Sequence, residues 1–122
     1  MSDLTSTMLN LPLYVMLRTT VQPALLSEEL VLAHLRWMIE QEGQGRVFAS
    51  GPFVVPDLPR GAAGGMTILR AADEQQAVQI GQEDPFVKAG AVAFQMHKWM
   101  LMEGAIQLTL RYSSQSFSME LT

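Results

Sequence analysis

Residues 11–20 read Leu-Pro-Leu-Tyr-Val-Met-Leu-Arg-Thr-Thr. Leu13 to Leu17 make an unbroken apolar run, too short for a buried helix, which predicts a central strand buried on both faces. Pro23 then breaks the chain. Downstream, Ser27 has the chemistry of a helix N-cap, and Glu28 and Glu29 suit the positive end of a helix dipole. Val31, Leu35, Met38 and Ile39 recur at helical spacing, beside a stripe of Leu30, His34, Trp37 and Met38. Gly43 or Gly45 supplies the left-handed stop.

The rest alternates strand and helix. Arg46–Val55 reads as a second strand, with Gly51-Pro52 marking a bulge or close backbone approach near a strand end. Pro56 to Gly65 is a proline- and glycine-containing loop with the composition of a mobile lid. Met66–Arg70 is a third strand. Asp73 opens a second helix with Gln76 as capping-box partner, and Asp84-Pro85 closes it, because a residue before proline is pushed out of the α region. Phe86 to Gly90 is a short turn or a scrap of helix, and Ala91–Leu101 a fourth strand. Ile106–Tyr112 and Ser116–Leu121 alternate apolar with polar residues around Ser113–Gln115, the pattern of an antiparallel hairpin with one apolar face. Met1–Asn10 reads as a loose lead-in.

This order gives an α+β fold. Its first six elements follow the ferredoxin-like βαββαβ plan, an antiparallel sheet with helices on one face, and a C-terminal β-hairpin is added. The reading is one domain over residues 1–122, with a core of about 11–101 and a hairpin extension of about 104–122. The uncovered sheet face calls for a second copy. Composition points the same way. Charged residues make up 16% of the chain and hydrophobic ones 48%, so there is little charge to cover the apolar surface.

Composition also excludes function classes. The net charge is −4 and no basic stripe occurs, which argues against nucleic acid as a partner. There is no cysteine, so disulfides and thiolate metal sites are absent. Met1 to Asn10 lacks a basic segment followed by an apolar core, and no apolar run approaches the roughly 18 residues of a membrane span. The expectation is a cytoplasmic protein with no membrane partner.

Few residues offer chemistry. His34 lies among apolar residues on a helix, and imidazole exchanges protons near neutral pH. The plainer alternative is a structural histidine satisfied by a backbone carbonyl. Asp84, before a proline, suits an Asx-type turn; it equally suits a carboxylate that accepts the His34 N–H and sets its tautomer. Ser50, Gly51 and Pro52 are pocket-lining candidates, with Gly51 letting a ligand approach backbone N–H groups; a strand-end bulge is the alternative. His97 shares a strand face with Gln95 and Trp99, which suggests a solvent or subunit surface. His34 and His97 lack HxH or HExxH spacing, so no metal is expected. Gly61, Gly64 and Gly65 are not followed by the Lys-Ser/Thr of a phosphate loop.

Three stretches together carry a family resemblance: Leu32-Ala33-His34-Leu35, Ala49-Ser50-Gly51-Pro52, and Asp84-Pro85-Phe86-Val87-Lys88-Ala89-Gly90 followed by a strand ending in Lys98-Trp99. From Leu13 to Trp99 the chain resembles the YciI-like family, also described by its DGPF-type motifs, of the dimeric ferredoxin-like α/β barrel class. The resemblance implies a fold similar to muconolactone isomerases, a homodimer, and a His–Asp site matching His34 and Asp84. Some members of that family act on hydroxylated or chlorinated aromatic degradation products, by dehydrochlorination or related elimination. The expectation is therefore a cofactor-independent lyase or isomerase for a small oxygenated cyclic or aromatic-derived compound. His34 and Asp84 would be catalytic, and Ser50, Gly51, Pro52 and Phe86 would bind the small molecule. The alternative is a dimeric binding or accessory protein without turnover. The residues after Trp99 extend beyond the family pattern.

Overall fold

The apolar run at residues 11–20 forms the ten-residue strand β1 (Leu11–Thr20). Tyr14, Met16 and Arg18 share one face and all three are buried. On the other face Leu13 is buried, but Val15 and Leu17 are only half-buried. The strand is therefore less enclosed on that side than its apolar run suggested; α2 and α3 both pack on the Tyr14 face.

In this computed structural model residues 2–121 are described. A short helix α1 (Ser2–Ser6) stands where a loose lead-in was expected, and its Met1 lies outside the described residues. After β1 come a 3-10 turn at Pro23–Leu25 and α2 (Glu28–Gly43). Ser27 caps α2, its hydroxyl accepting from the Leu30 N–H at 3.1 Å, an interaction worth about 1 kcal/mol. Strands β2 (Val47–Pro52) and β3 (Gly65–Leu69) follow. Then come α3 (Glu74–Gln82), α4 (Pro85–Lys88) and β4 (Val92–Leu101). Asp73 caps α3 by accepting from the Gln76 N–H at 2.8 Å, and the Gln76 side chain accepts from Ala72 N–H at 2.6 Å. The chain closes with β5 (Gln107–Arg111) and β6 (Ser116–Glu120).

The strands order as β2-β3-β1-β4, the ferredoxin-like arrangement, with β1 and β2 both antiparallel to β3. The register pairs Tyr14 with Leu69, Met16 with Thr67 and Arg18 with Gly65. Trp37 of α2 and Ala77 and Ile80 of α3 pack on Tyr14 and Leu69, so both helices lie on the same sheet face. A second cluster joins Phe86, Ala91 and Val92 to Leu26, Leu30 and Val31. The irregularity in β2 falls between Val47 and Ala49, not at Gly51, which pairs regularly with Met66. Pro52 is tolerated because β2 is an edge strand. A Cβ on Gly51 would meet nothing within 4 Å, so no close backbone approach requires glycine there.

Two compact units make up the chain: Pro12–Met100, which carries the sheet and α2 to α4, and a second formed by the segment up to Leu11 with that from Leu101. In the second, Leu108 pairs with Met119 and Leu110 with Phe117 across the hairpin. These apolar side chains share a face and all are more than half exposed. Among the described residues no helix is long and apolar enough to cross a membrane.

Candidate functional site

His34 lies one turn after Leu30 and one before Met38, so α2 aims all three toward the sheet. Its Nδ1 is 2.7 Å from Oδ1 of Asp84. Asp84 is fully buried and is the N-cap of α4, where Oδ1 also accepts from the Phe86 N–H at 3.0 Å. Both local readings of Asp84 therefore describe its geometry: the same carboxylate closes a turn and meets the imidazole. Its second oxygen, Oδ2, accepts from Nε of Arg18 at 2.7 Å.

Burial by itself would push the Asp84 carboxyl up. The hydrogen bond from His34 and the positive charge of Arg18 outweigh it, and the carboxyl lies below its ordinary value. An ionised carboxylate only accepts, so the His34 proton sits on Nδ1. Nε2 of the neutral ring is then unprotonated. The Phe86 ring stacks on the imidazole at 4.0 Å and 9°, clamping its orientation, with Trp37 tilted at 6.5 Å.

Arg18 continues the polar chain inward. It is only 7% exposed, and Nη1 donates to Oγ1 of Thr67 at 2.5 Å while Nη2 points at the Met38 sulfur at 3.6 Å. Thr67, also buried, is 2.7 Å from Oγ of Ser50. A cavity of about 410 Å³ opens beside this chain, between α2 and the β2 edge, of a size for a small organic ligand. His34, Arg18, Ser50 and Phe86 line it, as do Gly51 and Pro52. Val31, Leu35 and Ile39 of α2 give it an apolar wall.

All the site candidates read from sequence thus border one cavity or, for Asp84, lie behind it. The loop before β3 also reaches it, through Arg60, Gly61 and Gly64, and the Thr20 hydroxyl ties it back by donating to the Gly61 carbonyl at 2.7 Å. Gly64 has φ +77° and a Cβ there would fall 2.2 Å from the Arg18 carbonyl oxygen, so only glycine lets the loop run against β1. His97 is exposed and does not line the cavity. Among the described residues no group of three or more His, Cys, Asp or Glu side chains is placed to hold a metal ion.

The model of the YCII-related domain matches residues 13–97. The chain belongs to the YCII-related family. The chain is 26% identical over 89 residues to the uncharacterized protein YjpA of Bacillus subtilis (strain 168), covering 73% of this chain and 98% of that one. It is similar in fold to 5-chloro-2-hydroxyhydroquinone dehydrochlorinase (TftG) from Burkholderia phenoliruptrix AC1100, solved in complex with 2,5-dihydroxybenzoquinone. That match has a TM-score of 0.59 and 21% identity, and covers 71% of this chain and 92% of that one. The YCII match ends before the β5–β6 hairpin.

Sequence reading of the YCII domain missed Arg18 and Thr67. Arg18 carried a usable signal. It follows Tyr14 and Met16 at a two-residue period in an apolar strand, so a cation was bound for the buried face and required a partner there. Thr67 carried none, since a threonine in a strand is unremarkable until register sets it beside Met16 and Ser50.

Proposed function

We propose that this YCII-related protein is a cofactor-independent lyase or isomerase acting on a small oxygenated ring, with His34 as general base. The observation that carries the reading is the 2.7 Å contact from His34 Nδ1 to the buried Asp84, which leaves Nε2 as the open acceptor on a ring lining the cavity. Nε2 takes a proton from a carbon or hydroxyl of the ligand, and the released electron pair moves onto a ring oxygen or expels a leaving group. Asp84 holds the tautomer and stabilises the imidazolium that forms; it does not itself take the proton. Ser50, Gly51, Pro52 and Phe86 shape the binding surface. The fold shared with a dehydrochlorinase solved in complex with 2,5-dihydroxybenzoquinone supports this substrate class.

The test is turnover on a panel of chlorinated and unchlorinated hydroxyquinols and unsaturated lactones. Chloride release is one readout, and proton–deuterium exchange by NMR in heavy water the other. His34→Gln is expected to lower either rate by about 10²–10⁴-fold, the usual contribution of a general base. Binding of these rings with no exchange and no release, in wild type and variant alike, would leave the protein a binding module.

The reading includes a homodimer. Val92, Phe94 and Met96 of β4 face α2 to α4, so Ala93, Gln95, His97 and Trp99 face away from them. Trp99 is 38% exposed there. A second copy laid on that face would cover these residues together with Val15 and Leu17. Sedimentation equilibrium at micromolar concentration tests it, and a 13.5 kDa species would remove the dimer from the proposal.

A further inference from the structure

The polar chain from Ser50 to His34 has a direction. Arg18 only donates, and it gives one N–H to Thr67 Oγ1 and another to Asp84. The Thr67 hydroxyl hydrogen must therefore go elsewhere. Two acceptors are in reach: Ser50 Oγ at 2.7 Å and the Met38 thioether at 4.0 Å. Sulfur is the weaker acceptor, stands at the limit of contact, and already receives Nη2 of Arg18 at 3.6 Å. Ser50 Oγ is therefore the favoured acceptor of the Thr67 hydrogen. That occupies a lone pair of Ser50 and leaves its own hydrogen free. Ser50 is the exposed end of the chain and lines the cavity, whereas Thr67 is 1% exposed.

We propose that Arg18 and Thr67 are positioning residues that make the Ser50 hydroxyl a hydrogen-bond donor into the cavity. The cavity is accordingly selective for a ring bearing a carbonyl or phenolate oxygen. Each link donates toward Ser50, and in a buried site such links polarise one another, so the guanidinium charge is felt at the Ser50 O–H. On the other side Arg18 donates into Asp84, which accepts from His34. One buried cation thus orients a donor at one end of the chain and, through the carboxylate, an acceptor at the other. A ligand oxygen at Ser50 gains electron density when His34 takes a proton from the same ring, and the donor stands where that density collects. No proton travels along the chain; only its polarity is used. The inference rests on the small-ring reading above and deepens it, naming what the ring must carry.

The test compares two probes: 2,5-dihydroxybenzoquinone, followed by its visible absorbance, and toluene, which fills space without an oxygen. Thr67→Val keeps the shape and removes the hydroxyl. It is expected to weaken quinone binding by about tenfold, the scale of one lost hydrogen bond next to a charge, and toluene binding by less than about twofold. Thr67→Ser is expected to restore quinone affinity to within about twofold of wild type. Ser50→Ala, at the exposed end, gives the same selective loss and serves where Thr67→Val disturbs folding, monitored by circular dichroism. A packing role alone would move both probes together. Equal quinone affinity in wild type and Ser50→Ala, or parallel losses for quinone and toluene, overturns the donor chain and leaves the His34 exchange test intact. Wild type binding neither ring overturns the donor chain and the small-ring reading together. Selective loss at Ser50 and Thr67 without any His34-dependent exchange keeps the donor chain and removes only the base.

Discussion

Strand β1 and the β5–β6 hairpin follow the same two-residue period and meet opposite fates. In β1, Tyr14, Met16 and Arg18 are buried beneath helices, and the arginine is satisfied by Asp84 and Thr67. In the hairpin, Leu108, Leu110, Phe117 and Met119 line up just as regularly, yet Leu110 is 69% and Phe117 67% exposed. The contrast separates two properties that alternation is often taken to imply together. Alternation decides which side chains share a face. Whether that face is buried depends on what is set against it, and a two-stranded hairpin by itself is marginal in water.

The comparison breaks first at Asp84. Asp84→Asn leaves Arg18 a buried cation without its counter-charge, which is expected to lower unfolding free energy by about 3–5 kcal/mol in chemical denaturation. A loss below about 1 kcal/mol, the level of an exposed pair, would mean the strand face is no more demanding than the hairpin's. Wild type should also show the pH signature of this carboxylate. Its folded value lies below the ordinary one, so as pH falls the unfolded chain takes up the proton first. The stabilisation is fully present above the ordinary carboxylate range near pH 4 and is lost as pH drops through the folded value. Asp84→Asn should flatten that part of the stability curve.

A smaller effect is expected at the hairpin. Leu110→Lys with Phe117→Lys replaces exposed side chains, and each change should move unfolding of the Pro12–Met100 unit by no more than about 0.5 kcal/mol. We propose that the hairpin extends the sheet or clasps the partner copy, so the double variant should weaken self-association in sedimentation. Unchanged association would show the hairpin to be an appendage, and a large loss of core stability would show the two regions to be less distinct than their burial suggests.

The smallest effect belongs to His97, exposed on the face of β4 turned away from α2 to α4. His97→Gln should leave quinone affinity within about twofold of wild type. A tenfold change would connect that face to the cavity.

Much of the fold was legible residue by residue. The caps at Ser27 and Asp73 and the breaks at Pro23 and Asp84-Pro85 are local chemistry, and the structure places element ends within a few residues of them. The second strand is shorter than the Arg46–Val55 reading, ending at Pro52 opposite Gly65, where β3 begins; one further ladder bond runs from the Phe53 N–H to the Gly64 carbonyl at 2.9 Å. Gly51 drew the expected bulge to the wrong place, because glycine permits an irregularity without requiring one, and the shift at Val47/Ala49 carries no glycine mark.

The sequence by itself determined the element order and, through alternation, which strand residues share a face, because these follow from backbone geometry and from side chains acting within a few positions of themselves. That His34 meets Asp84, 50 positions away, was legible only through the family resemblance. Only the tertiary structure decided that Arg18 and Thr67 join them. A hydrogen bond spanning 66 positions, as from Arg18 to Asp84, has no local trace. Its partners are chosen when register sets Arg18 opposite Gly65 and α4 brings a carboxylate over the same face. A buried cation tells the reader that an anion is near; which anion it is depends on packing.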